Sequence, residues 1–389
     1  MQPVARVLMA LALVAMSAVC CRAESSLITI HRVPDGGLQP QARVDSSGRL
    51  HLIYFKGDPA HGDVFYVHSD DGGATFSRPL RVNSQPGSVI AIGTVRGPQL
   101  AIGRANRVHV AWMGSDRAQP KADGRQTPML YARLADSGEA FEPQRNVVRD
   151  HPGLDGGGSI AADVNGNVYV AWHAPTALGK GEADRHVWMV RSADDGKTFG
   201  SEVNLTPDPT GVCGCCGMRL FATPGGDLFA LYRSATATVN RDIYLLASHD
   251  GGKTVASTRL GPWKIGICVM STAAMASDSS GNIVAAWEQE GNIFTCGIDA
   301  HRFTAGPIAS VPGLTKDRKH PAVAIDSHRD RLIAWTEGTG WAKGGSVAWQ
   351  LFDASGKPIE GTAGRVEGMP AWDLPAVAAI GGGRFVLLY

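Results

Sequence analysis

The sequence lacks an excess of charge of either sign. Its 389 residues hold 37 Lys and Arg against 36 Asp and Glu, a net charge of +1. Lysines and arginines are scattered, with no run of five. A nucleic-acid partner needs a basic face, so the composition argues against one. After Ala23 no stretch reaches eighteen apolar residues, so nothing in the mature chain reads as a membrane-crossing helix. Cysteine is scarce, at seven residues. Glycine is plentiful, at 48, which suits a chain of many tight turns. The 44% apolar content is enough for a large core.

The first residues read as a targeting segment. Arg6 precedes an apolar run from Val7 to Val19, followed by Cys20-Cys21-Arg22-Ala23. That run has the length of a signal-peptide core and is too short for a bilayer. Cleavage is expected after Ala23, giving a secreted or periplasmic protein. A lipid anchor at Cys20 or Cys21 is the rival reading. Five cysteines would remain: Cys213, Cys215, Cys216, Cys268 and Cys296. An odd number in an oxidising compartment leaves a thiol unpaired or metal-bound.

One pattern recurs along the rest of the chain. A short apolar strand meets a Gly- or Asn-containing turn, then a second strand ending in Trp or Tyr. The closing aromatics are Tyr54, Trp112, Trp172, Tyr232, Trp287, Trp335 and Tyr389, spaced 48 to 60 residues apart. Turn dipeptides such as Ser-Gly and Asn-Gly make each copy a hairpin. Flanks of Val, Ile, Leu and Ala predict burial on both faces.

A third strand follows most hairpins, and a motif follows the third strand. Ser69-Asp70-Asp71-Gly72-Gly73-Ala74-Thr75-Phe76 fits S-x-D-x-G-x-T-[FW], as does the run from Ser192 to Phe199. The run from Ser248 to Val255 fits except for the aromatic, and Leu134 to Phe141 is a worn copy. The Asp can accept hydrogen bonds from backbone N–H groups of its own turn, and the Gly permits φ > 0. Calcium-loop spacing and a terminal Glu are missing.

One such unit cannot bury both faces, whereas a circle of them can. The expected fold is all-β: a propeller of four-stranded antiparallel blades, seven by hairpin count. The segment Ser26–Val33 is a strand without a hairpin, placed to complete the last sheet.

The motifs from Ser69, Ser192 and Ser248 are Asp boxes, and on them the whole mature chain resembles the sialidase-like superfamily. The resemblance implies six blades as the alternative count and a site at the axial mouth. For true sialidases it implies three arginines gripping a carboxylate, an acid/base Asp and a Tyr–Glu nucleophile pair. Guanidinium forks match a carboxylate at two points. The Arg-Ile-Pro motif expected around the first arginine is absent; the region reads Leu38-Gln39-Pro40-Gln41-Ala42-Arg43-Val44. Arg96, Arg219 and Arg233, with Asp155, are the candidate catalytic residues, and Arg43 lies where either face is open to it. Asp373, His320 and Trp372 are candidate ligand contacts, and Glu288 and Glu290 follow the fifth hairpin. His151 and His320 each precede an inner strand and could face the mouth.

Gly211 to Arg219 holds Cys213, Cys215 and Cys216 just before the fourth inner strand, and Cys268 precedes the fifth. Ring geometry makes those places neighbours near the axis; Cys296 lies farther out. Three readings stay open: a disulfide tying two blades, a Cu or Zn site using Cys213, Cys215, Cys216, Cys268 and Met270, or a redox-active vicinal pair at Cys215-Cys216 or simply buried thiols. The functional reading is an exported propeller that takes a glycan or other small molecule at its mouth, as a monomer. A glycoside hydrolase and a metal- or redox-linked propeller are the alternatives.

Overall fold

A computed structural model describes residues 27–122, 126–206, 208–313 and 317–389. The expected leader, 1–23, and the anchor cysteines Cys20 and Cys21 lie outside the described residues. Strands make up seven separate sheets, joined by turns and a few short 3-10 segments.

Each hairpin forms the two inner strands of one sheet. Blade 1 runs Leu38–Val44, Leu50–Lys56, Asp63–Ser69 and Leu80–Arg81. Blades 2, 3, 4 and 6 repeat this order of four antiparallel strands, opening at Gln99, Gly158, Arg219 and Arg318. Blade 5, opening at Ala273, places two short outer segments on its third strand. In blade 7, Ala376–Ala379 and Phe385–Leu388 are completed by Ile28–His31. This closing strand pairs in parallel with its neighbour, Ile28 opposite Phe385 and His31 opposite Leu388. The hairpin count of seven therefore holds over the six implied by resemblance. The closing sheet differs from expectation in having three strands, one of them parallel. A strand arriving from the far end of the chain is not bound to the antiparallel direction of a hairpin.

Seven apolar clusters lie between neighbouring blades, one per junction. Ile53, Phe55, Val110 and Trp112 fill the first junction, for example, and Leu52, Tyr54, Val386 and Leu388 fill the last, where blade 7 meets blade 1. The second strands explain the repeat: Leu50 to Phe55 and Val168 to Pro175 are buried at every position. Each is covered by a blade on either face. Trp112, Trp172, Trp287, Tyr54 and Tyr232 are almost wholly shielded from water. A buried side chain of this size contributes several kcal/mol.

The Asp boxes have one hydrogen-bond pattern in three blades. In the first, Thr75 donates from its backbone N–H and its hydroxyl to Asp71, at 2.9 and 2.6 Å, and Gly73 N–H donates to Ser69 Oγ at 2.7 Å. Ser192, Asp194, Gly196 and Thr198 repeat this, as do Ser248, Asp250, Gly252 and Thr254. Phe76 and Phe199 pack at the junction with the preceding blade, Phe199 edge-on to Tyr131 at 4.9 Å. In the worn copy, Asp136 pairs with Arg107 instead.

Candidate functional site at the axial mouth

Inner strands of all seven blades surround a central channel. At one end lie the hairpin turns; at the other lie the segments that enter each inner strand. The second end is the mouth, and there the backbone is irregular. Met270, His320 and Trp372 all have φ near +50 to +60°.

Arg219 opens the blade 4 inner strand and turns into the channel, 9% exposed. Its guanidinium donates to Gln99 Oε1 at 2.6 Å, Gln41 Oε1 at 3.2 Å and the Ala273 carbonyl at 3.4 Å. Arg43 lines the same channel, half-buried, and donates to its own neighbour's carbonyl, that of Ala42. Neither guanidinium has a carboxylate partner among the described residues. Burial, with Arg43 alongside, pulls the Arg219 pKa down to about 9. Arg43 is lowered by burial alone. The space they share is about 40 Å³, walled also by Thr94, Val95, Thr272, Pro321 and Leu374, while Arg43 also borders a cavity of about 770 Å³ on the hairpin-turn side, where Asp45, Asp163, Asp278 and Asp326 lie. It admits a water or the head of one small anion. Its lining contains no Asp, Glu or Tyr.

The other candidate arginines are engaged elsewhere. Arg96 grips Asp155, Nη2 to Oδ1 at 2.7 Å and Nε to the carbonyl at 2.8 Å, and lies over Trp341. Both are half-buried at the rim. Arg233 is buried beneath the mouth, between Glu288, whose Oε2 is 3.5 Å away, and the face of Trp263. Burial raises the Glu288 pKa even against that guanidinium. Glu290, exposed at φ 53°, follows in the turn.

Asp373 does not open into the channel. Its Oδ1 accepts the Gln39 and Leu374 backbone N–H groups at 2.7 and 2.8 Å, tying blade 7 to blade 1. Burial lifts its pKa to about 7, and Oδ2 has no hydrogen-bond partner. Trp372 enters through its carbonyl, which accepts Gln39 Nε2 at 2.7 Å. His320 is buried, with Nδ1 unpartnered; burial and Lys319 bring its pKa down to about 3, so it is neutral. His151 is not at the mouth. It stacks on Trp188 with ring centres 3.3 Å apart and meets Glu202 at 2.7 Å, because the chain crosses the outer part of blade 3 there.

The cysteines converge as ring geometry requires. Cys215 and Cys268 form a disulfide between the blade 4 and blade 5 entries. Cys213 and Cys216 are thiols, with Cys213 donating to Cys216 Sγ at 2.9 Å. Cys213 Sγ is 3.5 Å from Cys215 Sγ. The sulfurs of Cys213, Cys215 and Cys216 lie within 4.8 Å of one another. Of the candidate metal ligands, Met270 is half-buried at a positive φ. Cys296 is buried in the junction of blades 4 and 5, where burial pushes its thiol up to about 12.

Residues without a motif complete the mouth. Gln39, Gln41 and Gln99 supply carboxamides, and Glu182 links Gly214 N–H at 2.6 Å to Arg241 at 2.7 Å. Gly156 lets the cysteine loop approach: a Cβ there would sit 2.5 Å from the Gly214 carbonyl oxygen. Only the place of these side chains at the mouth end of the blades, at the start of an inner strand or in the turn before a third strand, could have drawn attention to them.

No family model and no curated protein matches the chain. Solved structures do. A protein of unknown function from Dyadobacter fermentans DSM 18053 is 16% identical, with 88% of this chain and 97% of that one aligned at a TM-score of 0.53. A Hadza microbial sialidase is 13% identical, over 82% of this chain and 66% of that one, at 0.52. The α-L-arabinofuranosidase Arb93A of Fusarium graminearum is 15% identical, over 85% and 98%, also at 0.52. The likeness to these structures is one of fold, a β-propeller.

Proposed function

From the premise of a sialidase-like propeller fold, we propose that this protein binds the carboxylate of an acidic sugar at its axial mouth, without hydrolysing it. The observation that carries the reading is the Arg219–Arg43 pair: two guanidiniums sharing one small channel, neither paired with a carboxylate among the described residues. A buried charge without a partner is costly, so such a pair is retained where an anion completes it. Gln41 and Gln99 fix the Arg219 fork, which favours a planar two-oxygen acceptor. The channel takes only the anionic head; the ring of the sugar would rest on the rim near Arg96, Asp155 and Trp341.

Glycoside hydrolysis needs a nucleophile and an acid flanking the bond. The channel lining offers neither carboxyl nor phenol, and the rim carboxyl beside the sugar, Asp155, is held by Arg96 at 2.7 Å with no phenol beside it in the channel. Arg96 and Arg233 are each engaged by a carboxylate. Export belongs to the same reading: the disulfide at the mouth suits an oxidising compartment, as does the leader-like segment before Ala23.

Titration calorimetry with free sialic acid, glucuronic acid and neutral arabinose tests this. Binding of at least one acid sugar is expected, lost in Arg219→Ala and absent for arabinose. Equal binding of arabinose, or release of sialic acid from a fluorogenic sialoside, contradicts it.

A further inference from the structure

The cysteine loop is held from both sides. Cys213 N–H donates to the Arg233 carbonyl at 2.9 Å, Val212 N–H to that of Glu182 at 3.1 Å, and Gly217 N–H to that of Ser271 at 2.9 Å. Cys213 and Cys216 are 0% and 3% exposed. Cys268 differs: it is exposed, in the outward segment Gly266–Cys268 beside Ile267, which is 64% exposed. A fixed, buried dithiol thus stands directly behind a disulfide whose far sulfur faces water.

We propose that these four sulfurs form a thiol–disulfide exchange site, in which the Cys213/Cys216 dithiol and the Cys215–Cys268 disulfide interconvert. The distances set the order of steps. Cys216 first loses its proton to solvent, and its thiolate then takes the Cys213 proton along their 2.9 Å hydrogen bond. The Cys213 thiolate attacks Cys215 Sγ at 3.5 Å, and Cys268 leaves as a thiolate and takes a proton from water. Cys216 then gives up its proton to solvent and attacks Cys213 Sγ; Cys215 leaves and is protonated. One S–S bond breaks and one forms, two thiol protons are redistributed, and no electrons enter or leave.

The surroundings favour a thiolate at Cys216, the base that takes the Cys213 proton. Arg233, Arg241 and Arg185 all lie close enough to act on the pair. Burial works against ionisation of Cys216, yet the hydrogen bond from Cys213 and the charge of Arg233 outweigh it and lower its pKa. Cys213 holds the shared proton at rest and is raised, by that same hydrogen bond and by burial, and yields it to the Cys216 thiolate only as it attacks. Glu288 and Glu182, which pair with Arg233 and Arg241, oppose thiolate formation in part. The consequence is a latch. With Cys215–Cys268 closed, the segment before blade 5 is tied to blade 4; with Cys213–Cys216 closed, it is released and Cys268 is a free surface thiol open to thiol or disulfide compounds.

Tryptic mapping separates the two forms. Cys213, Cys215 and Cys216 fall in the peptide Thr198–Arg219, and Cys268 falls in Ile265–Arg302. The full chain is held at pH 8 without reductant, quenched in acid, alkylated and digested. Wild-type protein should yield both the cross-linked pair and an internally bridged Thr198–Arg219. Cys213→Ser should yield the cross-link only. Cys268→Ser, exposed to oxidised glutathione, should carry the internal bridge. A wild type that keeps the cross-link alone, as Cys213→Ser does, overturns the proposal. So does a Cys268→Ser protein that forms no bridge, or copper or zinc co-purifying with all four thiols reduced.

Discussion

The two ends of the ring use carboxylates differently. At the hairpin-turn end, Asp45, Asp163, Asp278 and Asp326 each accept backbone N–H groups two and four residues on in their own turns. At the mouth, polar groups reach across blades: Asp373 to Gln39, Asp155 to Arg96, Glu182 to Arg241 and Glu288 to Arg233. Local bonds recur because each blade needs the same turn. Cross-blade bonds occur once each, because each junction at the mouth is different. Asp195 shows the division is not absolute, since this Asp-box residue crosses to Arg107 and Arg133 of the preceding blade. Repetition in this chain marks structure, and the site lies where repetition stops.

Substitutions should sharpen that contrast. The largest loss belongs to the repeat. Trp172→Ala removes a fully buried ring, and the hydrogen bond from its indole N–H to the His151 carbonyl at 3.0 Å. Chemical denaturation should show a loss of about 3–5 kcal/mol. Asp373→Asn comes next, through pH. The folded-state pKa is raised, so the folded chain holds this proton more tightly than the unfolded chain does. Stability from the neutral acid is complete below the ordinary 3.8 and is lost as pH rises toward about 7. Wild type should fall by no more than about 1.4 kcal/mol per pH unit across that window, and the variant should be flatter. A steeper variant contradicts the burial of a protonated acid.

Ser192→Ala should cost about 1–3 kcal/mol by leaving the Gly196 N–H unpaired, read as a lower denaturation midpoint at unchanged slope. Arg219→Met should change stability least, within about 1 kcal/mol, because the lost bonds to Gln41 and Gln99 are offset by removal of an unpaired buried charge. A loss as large as that of Trp172→Ala would make Arg219 a structural residue and remove the contrast.

The sequence was legible where the chain repeats itself. Seven closing aromatics, turn dipeptides and three Asp boxes were enough for the ring, and the spare strand before blade 1 for its closure. The meeting of the cysteines followed from that ring. The direction of the closing strand did not, because no short turn constrains it. Nor did the orientation of Arg43, which depends on the irregular pairing between Leu38 and Gln41. His151 was misplaced because a His before an inner strand faces the mouth only if the chain has already reached the axis. Gln39, Gln41 and Gln99 carry no signature, since a carboxamide matters only through what it meets.

The central claim is that the unpaired guanidiniums of the channel hold a carboxylate. Its most direct test is to compare binding of an acid sugar with binding of its methyl ester, which keeps the shape and loses the charge. The account predicts heat for the acid, none for the ester, and none for either in Arg219→Met. Equal binding of acid and ester to wild type would contradict it.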